Sequence, residues 1–497
     1  MDRREFLGTG LALGGAMAFG GTLGACRPPG QGPKRPTRRA IRHSILEDAP
    51  ADSGIDTVVV VMMENRSFDS YLGWLARDRD YLHAGRSRYG GHFQVDGRSF
   101  QEFPAPDGTL TPTYRRIEYP DSDPWRACGH PDPGHGWNAG RAQRDGGFLA
   151  SGSGNDIFAL GYFEGEDLPI YDALARRFVV CDRWHASVLG PTYPNREYLL
   201  SGQSGGNKTN AFPTGDGFPW ENIVDRLVRA GVTATDYYSD LPPLALWGSR
   251  MAPYFHPIAS YYEDAAAGRL PNVSFLDPAF IGDNRSDDHP LGDPRAAQRF
   301  VRDVFAAFAR SPQWERGLFV LTYDEWGGFF DHQAPPHLAD DRANANDADD
   351  FSQAGFRVPA ILASPRALPG AVDHALHDHT SVLRFLEWRF LGAPARGPES
   401  TSTTPWYLTT RDRNATNLGE LLSAEYFDPE LFFDPDLDIP APSPSCGGPG
   451  GLLTATAEAG TTASAEVDAT AGAELEPSPW EEGLDSGFWE HSGWVSD

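Results

Sequence analysis

Residues 56–69 read DTVVVVMMENRSFD: six successive apolar residues, Val58 to Met63, stop abruptly at a carboxylate, an amide and a guanidinium. An unbroken apolar run of this length predicts a parallel strand covered on both faces. Polar side chains at the carboxyl end of such a strand project into the crevice where open α/β sheets bind ligands, which places Glu64 and Asn65 for chemistry. The bland use of such a pair is a turn or a helix cap. A second strand, Leu318 to Tyr323, ends the same way at Asp324-Glu325, followed by Gly327-Gly328 and Asp331-His332. Two strands that both end in acids predict one metal-binding crevice.

Working outward, strand and helix patterns alternate. Ser67 is placed to cap a helix over Phe68 to Leu75, and PIYDALARR after Leu168 leads into the strand FVVC and then Asp182-Arg183-Trp184-His185. Further helices are expected over Glu221 to Ala230, Asp293 to Ala309 and Asp378 to Phe390, and strands near Thr233 to Tyr237, Val273 to Leu276 and Phe356 to Ala363. This order predicts a parallel or mixed sheet covered by helices. Residues 85–155, rich in Gly, Pro and His without periodicity, read as a long loop region, and no internal repeat is visible.

The 497 residues carry a formal net charge of -27, which excludes the basic footprint of a nucleic-acid binder. Past Arg413 there are seventeen acids and no Lys or Arg, so the first 413 residues hold only -10 of that charge. The N-terminus, with Arg3-Arg4 before a Gly/Ala-rich apolar stretch and then Leu23-Gly24-Ala25-Cys26, reads as a twin-arginine export signal ending in a lipobox, Cys26 being the lipidated residue. The expected organisation is a signal over 1–26, a Pro/Arg-rich tether over 27–54, one domain over 55–439 and an acidic low-complexity tail over 440–497. Export would leave Cys128, Cys181 and Cys446 in an oxidising compartment; a Cys128–Cys181 disulfide and a buried Cys181 thiol are alternative readings.

At the centre of the chain lies VLGPTYPNREYLLSG, residues 188–202, where prolines bracket Thr192 and Tyr193 and Asn195 is placed to cap a helix beginning at Arg196. Thr192 would then sit at a helix N-terminus, which favours an anion. The same segment could be a structural turn.

Taken in order, Glu64 to Asp69, the GPTYPNR segment, Asp288-His289-Pro290, YDEWGGFFDHQAPP (323–336), GFRVPAILASP (355–365) and DHTSVLRFLE (378–387) resemble the bacterial phosphoesterase family that contains the non-haemolytic phospholipases C and a group of acid phosphatases. The resemblance runs from about residue 55 to 395. It implies an alkaline-phosphatase-like α/β/α sandwich with a mostly parallel central sheet and loop insertions. It also implies that Glu64, Asn65, Asp324 and Glu325 hold a metal ion touched by a nucleophilic Thr192, and that His135 and His289 meet the phosphoryl or leaving group. By the same resemblance Asn65, Arg196, His332 and His379 contact the substrate phosphate. Asp288 departs from the Glu that many members carry. The oxygen-rich ligand set favours one hard divalent ion, Ca²⁺, Mg²⁺ or Mn²⁺, over zinc. The expected substrate is a phospholipid or small phosphoester; a phosphomonoesterase and a non-catalytic surface lipoprotein binding phosphorylated ligands are the alternatives.

Overall fold

The computed structural model describes residues 43–120, 123–282, 285–397, 406–427 and 437–443. Eight strands form its main sheet: β1 (Thr57–Met63), β2 (Val179–Cys181), β3 (Ala234–Tyr238), β4 (Phe255–Pro257), β5 (Val273–Asp277), β6 (Gly317–Tyr323), β7 (Ala360–Ala363) and β8 (Val372–Asp373). Their order is β8-β2-β7-β6-β1-β5-β3-β4. Every neighbouring pair is parallel except those of β7, which runs antiparallel to both β6 and β2. This is the mixed, mostly parallel sheet expected from the alternating pattern.

All seven residues of β1 and all seven of β6 are buried, because helices cover both faces of the sheet. The long helix Pro294–Arg310 shows how that cover is built. Ala297, Val301, Val304, Phe305 and Phe308 recur at helical spacing and are buried, while Asp293 caps the start by accepting from Arg295 N–H. The Thr380–Leu391 helix is buried through most of its length, so it lies inside the fold rather than on its surface.

Several expectations need correction. Residues 43–54 are not tether: Ile45 and Leu46 are buried, the Ile45 N–H donates to Leu422 O (3.1 Å), and Ser44 pairs with Ser423. Burial of Ile45 and Leu46, with this backbone pairing, makes the stretch part of the domain. At the other end, Ser443 is held by Arg126, Asp293 and Arg295. Residues 85–155 are not all loop, since they include the end of helix Arg79–Tyr89 and the whole of Trp137–Gly146. Cys181 is a free buried thiol, so the Cys128–Cys181 disulfide is excluded. Cys128 is nevertheless disulfide-bonded. The twin-arginine stretch, Cys26 and most of the acidic tail lie outside the described residues. No helix among the described residues is long and apolar enough to cross a membrane.

Candidate active site

Strand register builds the centre of the site. β1 and β6 run in step to Met63↔Tyr323, so the residues that follow, Glu64 and Asp324, emerge side by side. Backbone bonds then lock both turns: Asp324 N–H donates to Met63 O (3.0 Å), Arg66 N–H to Glu325 O (3.2 Å), and Asn65 N–H to Asp324 Oδ1 (3.2 Å). Asn65 is left-handed (φ 61°), a conformation Asn tolerates better than most residues. Against it lies Gly327, also left-handed (φ 63°), where a Cβ would come within 2.3 Å of the Asn65 carbonyl oxygen. The Gly is therefore required by the close approach of the two turns.

Thr192 is the first residue of the Thr192–Ser201 helix, as its predicted place at a helix N-terminus requires. The cap differs from expectation: Pro191 occupies the capping position, and Asn195 lies inside the helix. Asn195 instead accepts from Val188 N–H (3.0 Å) and donates to Gly190 O (2.8 Å) and Pro191 O (3.1 Å), stapling the loop that presents Thr192. One turn on, Arg196 shares the Thr192 face. Its guanidinium donates to Asp277 Oδ1 (2.7 Å) and Met62 O (3.1 Å) and stands 3.3 Å from Glu64 Oε1 and 3.6 Å from Asp324 Oδ2. Arg196 is thus committed to carboxylates at the ends of three strands, a positioning role that differs from the phosphate contact expected for it.

Two more predicted phosphate contacts are committed elsewhere. His332 Nδ1 meets Asp69 (2.6 Å) and its Nε2 meets Asp96 (3.1 Å), within a buried network in which Arg357 pairs with Asp69 and Asp331. Although burial opposes the charge, the two flanking carboxylates win and raise its pKa to about 9. His379 donates from Nε2 to the Asp324 carbonyl (2.6 Å) and accepts at Nδ1 from Trp184 (3.2 Å); burial lowers its pKa to about 4. Both of its nitrogens face protein, so it braces the Asp324 turn.

His135 and His289 do come together, their rings edge to face with centroids 5.6 Å apart. Each donates from Nδ1 to a backbone carbonyl, Pro133 (2.8 Å) and Pro290 (3.2 Å) respectively, and the buried Nε2 of His289 makes no hydrogen bond. Burial, with Arg285 and His135 adding to it, lowers the His289 pKa well below the ordinary value, so its imidazole is neutral. Asp132, which sequence reasoning missed, joins them with Oδ2 3.6 Å from His289 Nε2. Asp132 and His135 are only partly buried and form the side of the site that solvent reaches.

The charge balance is acidic. Burial raises the pKa of Glu325 well above the carboxylate range, and Asp324, Asp132 and Glu64 raise it further. Asp324 and Asp287 are likewise raised, chiefly by burial and also by neighbouring acids. Asp287 is a second residue sequence reasoning missed; its carbonyl accepts from Glu64 N–H (2.8 Å), and the acidic run Asp287-Asp288-His289 was the available signal. Thr192 Oγ1, both ends of the Asn65 amide, Asp324 Oδ2, Glu325 Oε1 and Asp287 Oδ2 are buried and make no hydrogen bond. Such groups are costly unless a ligand completes them, and an excess of carboxylate oxygen suits a hard divalent cation. Glu64, Asn65, Asp324 and Glu325, with Thr192, fit that role in donor type.

Among the described residues, three groups bring ligand-capable atoms within 4.8 Å: Asp132-His135-His289, Asp69-Asp331-His332 and Cys181-Asp373-His377. The strand-end acids are not drawn that close, and the Arg196 guanidinium stands between Glu64 and Asp324.

The profile of the Phosphoesterase family matches residues 55–391. Similar proteins include non-specific phospholipase C5 of Arabidopsis thaliana, 33% identical over 66% of this chain and 68% of the relative. Non-specific phospholipase C1 of the same plant is 32% identical over 72% and 69%. The non-hemolytic phospholipase C of Pseudomonas aeruginosa is 27% identical over 73% of this chain and 56% of its own. Among solved structures, PsFucS1 sulfatase from Pseudoalteromonas sp. aligns at 10% identity and a TM-score of 0.35, covering 77% of this chain and 78% of its own.

Proposed function

The chain belongs to the Phosphoesterase family, whose members are hydrolases of phosphoester bonds, and on that premise we propose a metal-dependent phospholipase C in which Thr192 is the nucleophile. One observation carries this reading: a buried hydroxyl and a buried amide, Thr192 and Asn65, make no hydrogen bond within the protein, and Arg196, one turn on from Thr192, ties that helix to the carboxylates at the strand ends. A divalent cation bound there would neutralise phosphoryl oxygens and lower the pKa of a coordinated hydroxyl. Thr192 Oγ forms a bond to phosphorus as the bond from phosphorus to the diglyceride oxygen breaks. The hydroxyl proton passes to a neighbouring carboxylate, and the departing alkoxide takes a proton from solvent through His135. Water, its proton accepted by the neutral His289, then attacks phosphorus and breaks its bond to Thr192 Oγ, which recovers the proton held by the carboxylate as the phosphorylated head group leaves. The Asn65 amide, already in position, stabilises an equatorial oxygen at little reorganisation cost.

Export through the twin-arginine route and tethering to the cell envelope through Cys26 are part of the proposal. The disulfide at Cys128 supports them, because such bonds persist in oxidising compartments.

The test is hydrolysis of a chromogenic phosphocholine diester and of the matching monoester, with Ca²⁺, Mg²⁺, Mn²⁺ or Zn²⁺ supplied. Thr192→Ala should lower diester turnover by at least about 10³-fold with an unchanged unfolding midpoint, and Thr192→Ser should retain much of it. Monoester turnover alone would move the assignment to a phosphomonoesterase. No turnover of either would leave a binding protein.

A further inference from the structure

Residues 102–112 form a two-stranded hairpin, Glu102–Pro104 against Leu110–Pro112, with Phe103 opposite Thr111 and Pro104 opposite Leu110. Strand alternation divides it into two faces. The inner face carries Phe103, 1% exposed, whose ring packs edge to face on Phe148 (5.3 Å) and lies 6.1 Å from Phe330. The outer face carries Glu102, Pro104, Leu110 and Pro112, and Phe100 continues it. Phe100 is 65% exposed and Leu110 44%, the highest values for large apolar side chains among the described residues.

The inner anchor leads to the active site. Phe103 belongs to the buried cluster that also contains Leu189 and Trp326. Leu189 lies three residues before Thr192, and Trp326 directly follows Glu325. Whatever seats on the outer face is therefore mechanically continuous with both catalytic turns.

We infer that this hairpin docks the enzyme on a zwitterionic lipid surface by inserting Phe100 and Leu110. A protein partner would need about 800 Å² on each side, far more than two side chains and two prolines offer. A second copy pairing along the strand edge is opposed by Pro104 and Pro112, which lack the N–H such pairing uses. Between residues 99 and 113 there are two acids, Glu102 and Asp107, and no Lys or Arg, in a chain of net charge -27. Anionic lipid is thus repelled, and a neutral phosphocholine surface is the matching one. The inference rests on the phospholipase reading for its purpose but not for its test.

The test is co-sedimentation of the full chain, produced without lipidation, with phosphatidylcholine vesicles and with phosphatidylserine vesicles, alongside Phe100→Ser/Leu110→Ser. Wild type should partition onto phosphatidylcholine, and the double variant at least about tenfold less. An equal unfolding midpoint and equal turnover of a soluble short-chain diester would show that the variant's fold and site are intact. Equal sedimentation of the two proteins, no sedimentation of either, or preference for phosphatidylserine would overturn the inference. Vesicle binding that the double variant loses, in a protein that turns over no diester, would uphold the docking role while removing the phospholipase reading.

Discussion

Arg196 Nη2 stands 3.3 Å from Glu64 Oε1, both side chains buried, so one guanidinium ties the end of β1 to the helix that presents Thr192. The same group reaches Asp277 and Asp324. Removing the cation would leave these carboxylates buried without their counter-charge, which typically costs about 3–5 kcal/mol. Arg196→Met should therefore lower unfolding stability by about that amount in a urea titration. Arg196→Lys, keeping the charge but losing the fork geometry, should recover part of it. A phosphate-binding Arg would behave otherwise, raising KM in the Met variant while leaving the urea midpoint in place.

His332 should govern stability at alkaline pH rather than turnover. Its folded-state pKa, about 9, lies above the ordinary 6.5, so its bound proton stabilises the fold fully below about pH 6.5. That contribution, on the order of 3 kcal/mol, is lost as pH rises from there through about 9. His332→Gln should flatten the stability profile between pH 6 and 10 and change diester kcat/KM at pH 7 by less than about threefold. A large loss of kcat/KM with an unchanged stability profile would return His332 to the substrate.

Cation binding should release protons. Asp287, Asp324 and Glu325 all have pKa values raised above the carboxylate range, chiefly by burial, so without a cation they retain protons near neutrality. A divalent ion favours their charged forms, and its affinity should rise from pH 6 to 8 as the competing protons leave. Titration of chelator-treated protein in weak buffer should show acidification on adding Mn²⁺ or Ca²⁺ and a rise in Tm. At a hundredfold excess over Kd the stabilisation would be about 2.7 kcal/mol. Pre-charged carboxylates would give no pH change on metal addition.

The apolar runs of β1 and β6 made the sheet centre legible, and the acids at their ends located the crevice. Sequence could not show how each side chain would be committed. Arg196, His332 and His379 stand in the motifs that also carry Thr192 and the acids or in the one that follows them, yet their polar atoms turn inward to carboxylates, carbonyls and an indole, a choice made by tertiary packing. Asp132 and Asp287 each lie within three residues of a predicted histidine, His135 for one and His289 for the other, but their further partners, His289 and Glu64, are distant in sequence. Ile45 and Leu46 were too short an apolar signal to mark residues 43–54 as folded.

Gly327 offers a test of how closely the two catalytic turns are coupled. It is left-handed, and the Cβ of an alanine would lie 2.3 Å from the Asn65 carbonyl oxygen and 2.8 Å from its Cα, backbone atoms that cannot swing aside. Gly392 is also left-handed (φ 79°), but a Cβ there meets nothing within 4 Å. Gly392→Ala therefore isolates the conformational penalty, about 1–2 kcal/mol, and should leave kcat/KM unchanged. Gly327→Ala adds a clash that displaces Asn65 and with it the amide we propose to meet the phosphoryl oxygens. It should lose stability by more than the control and lower kcat/KM by about 10²-fold, the scale of a misplaced transition-state donor. Equal kcat/KM in the two variants, measured on the soluble diester, would mean that Asn65 takes no part in the reaction.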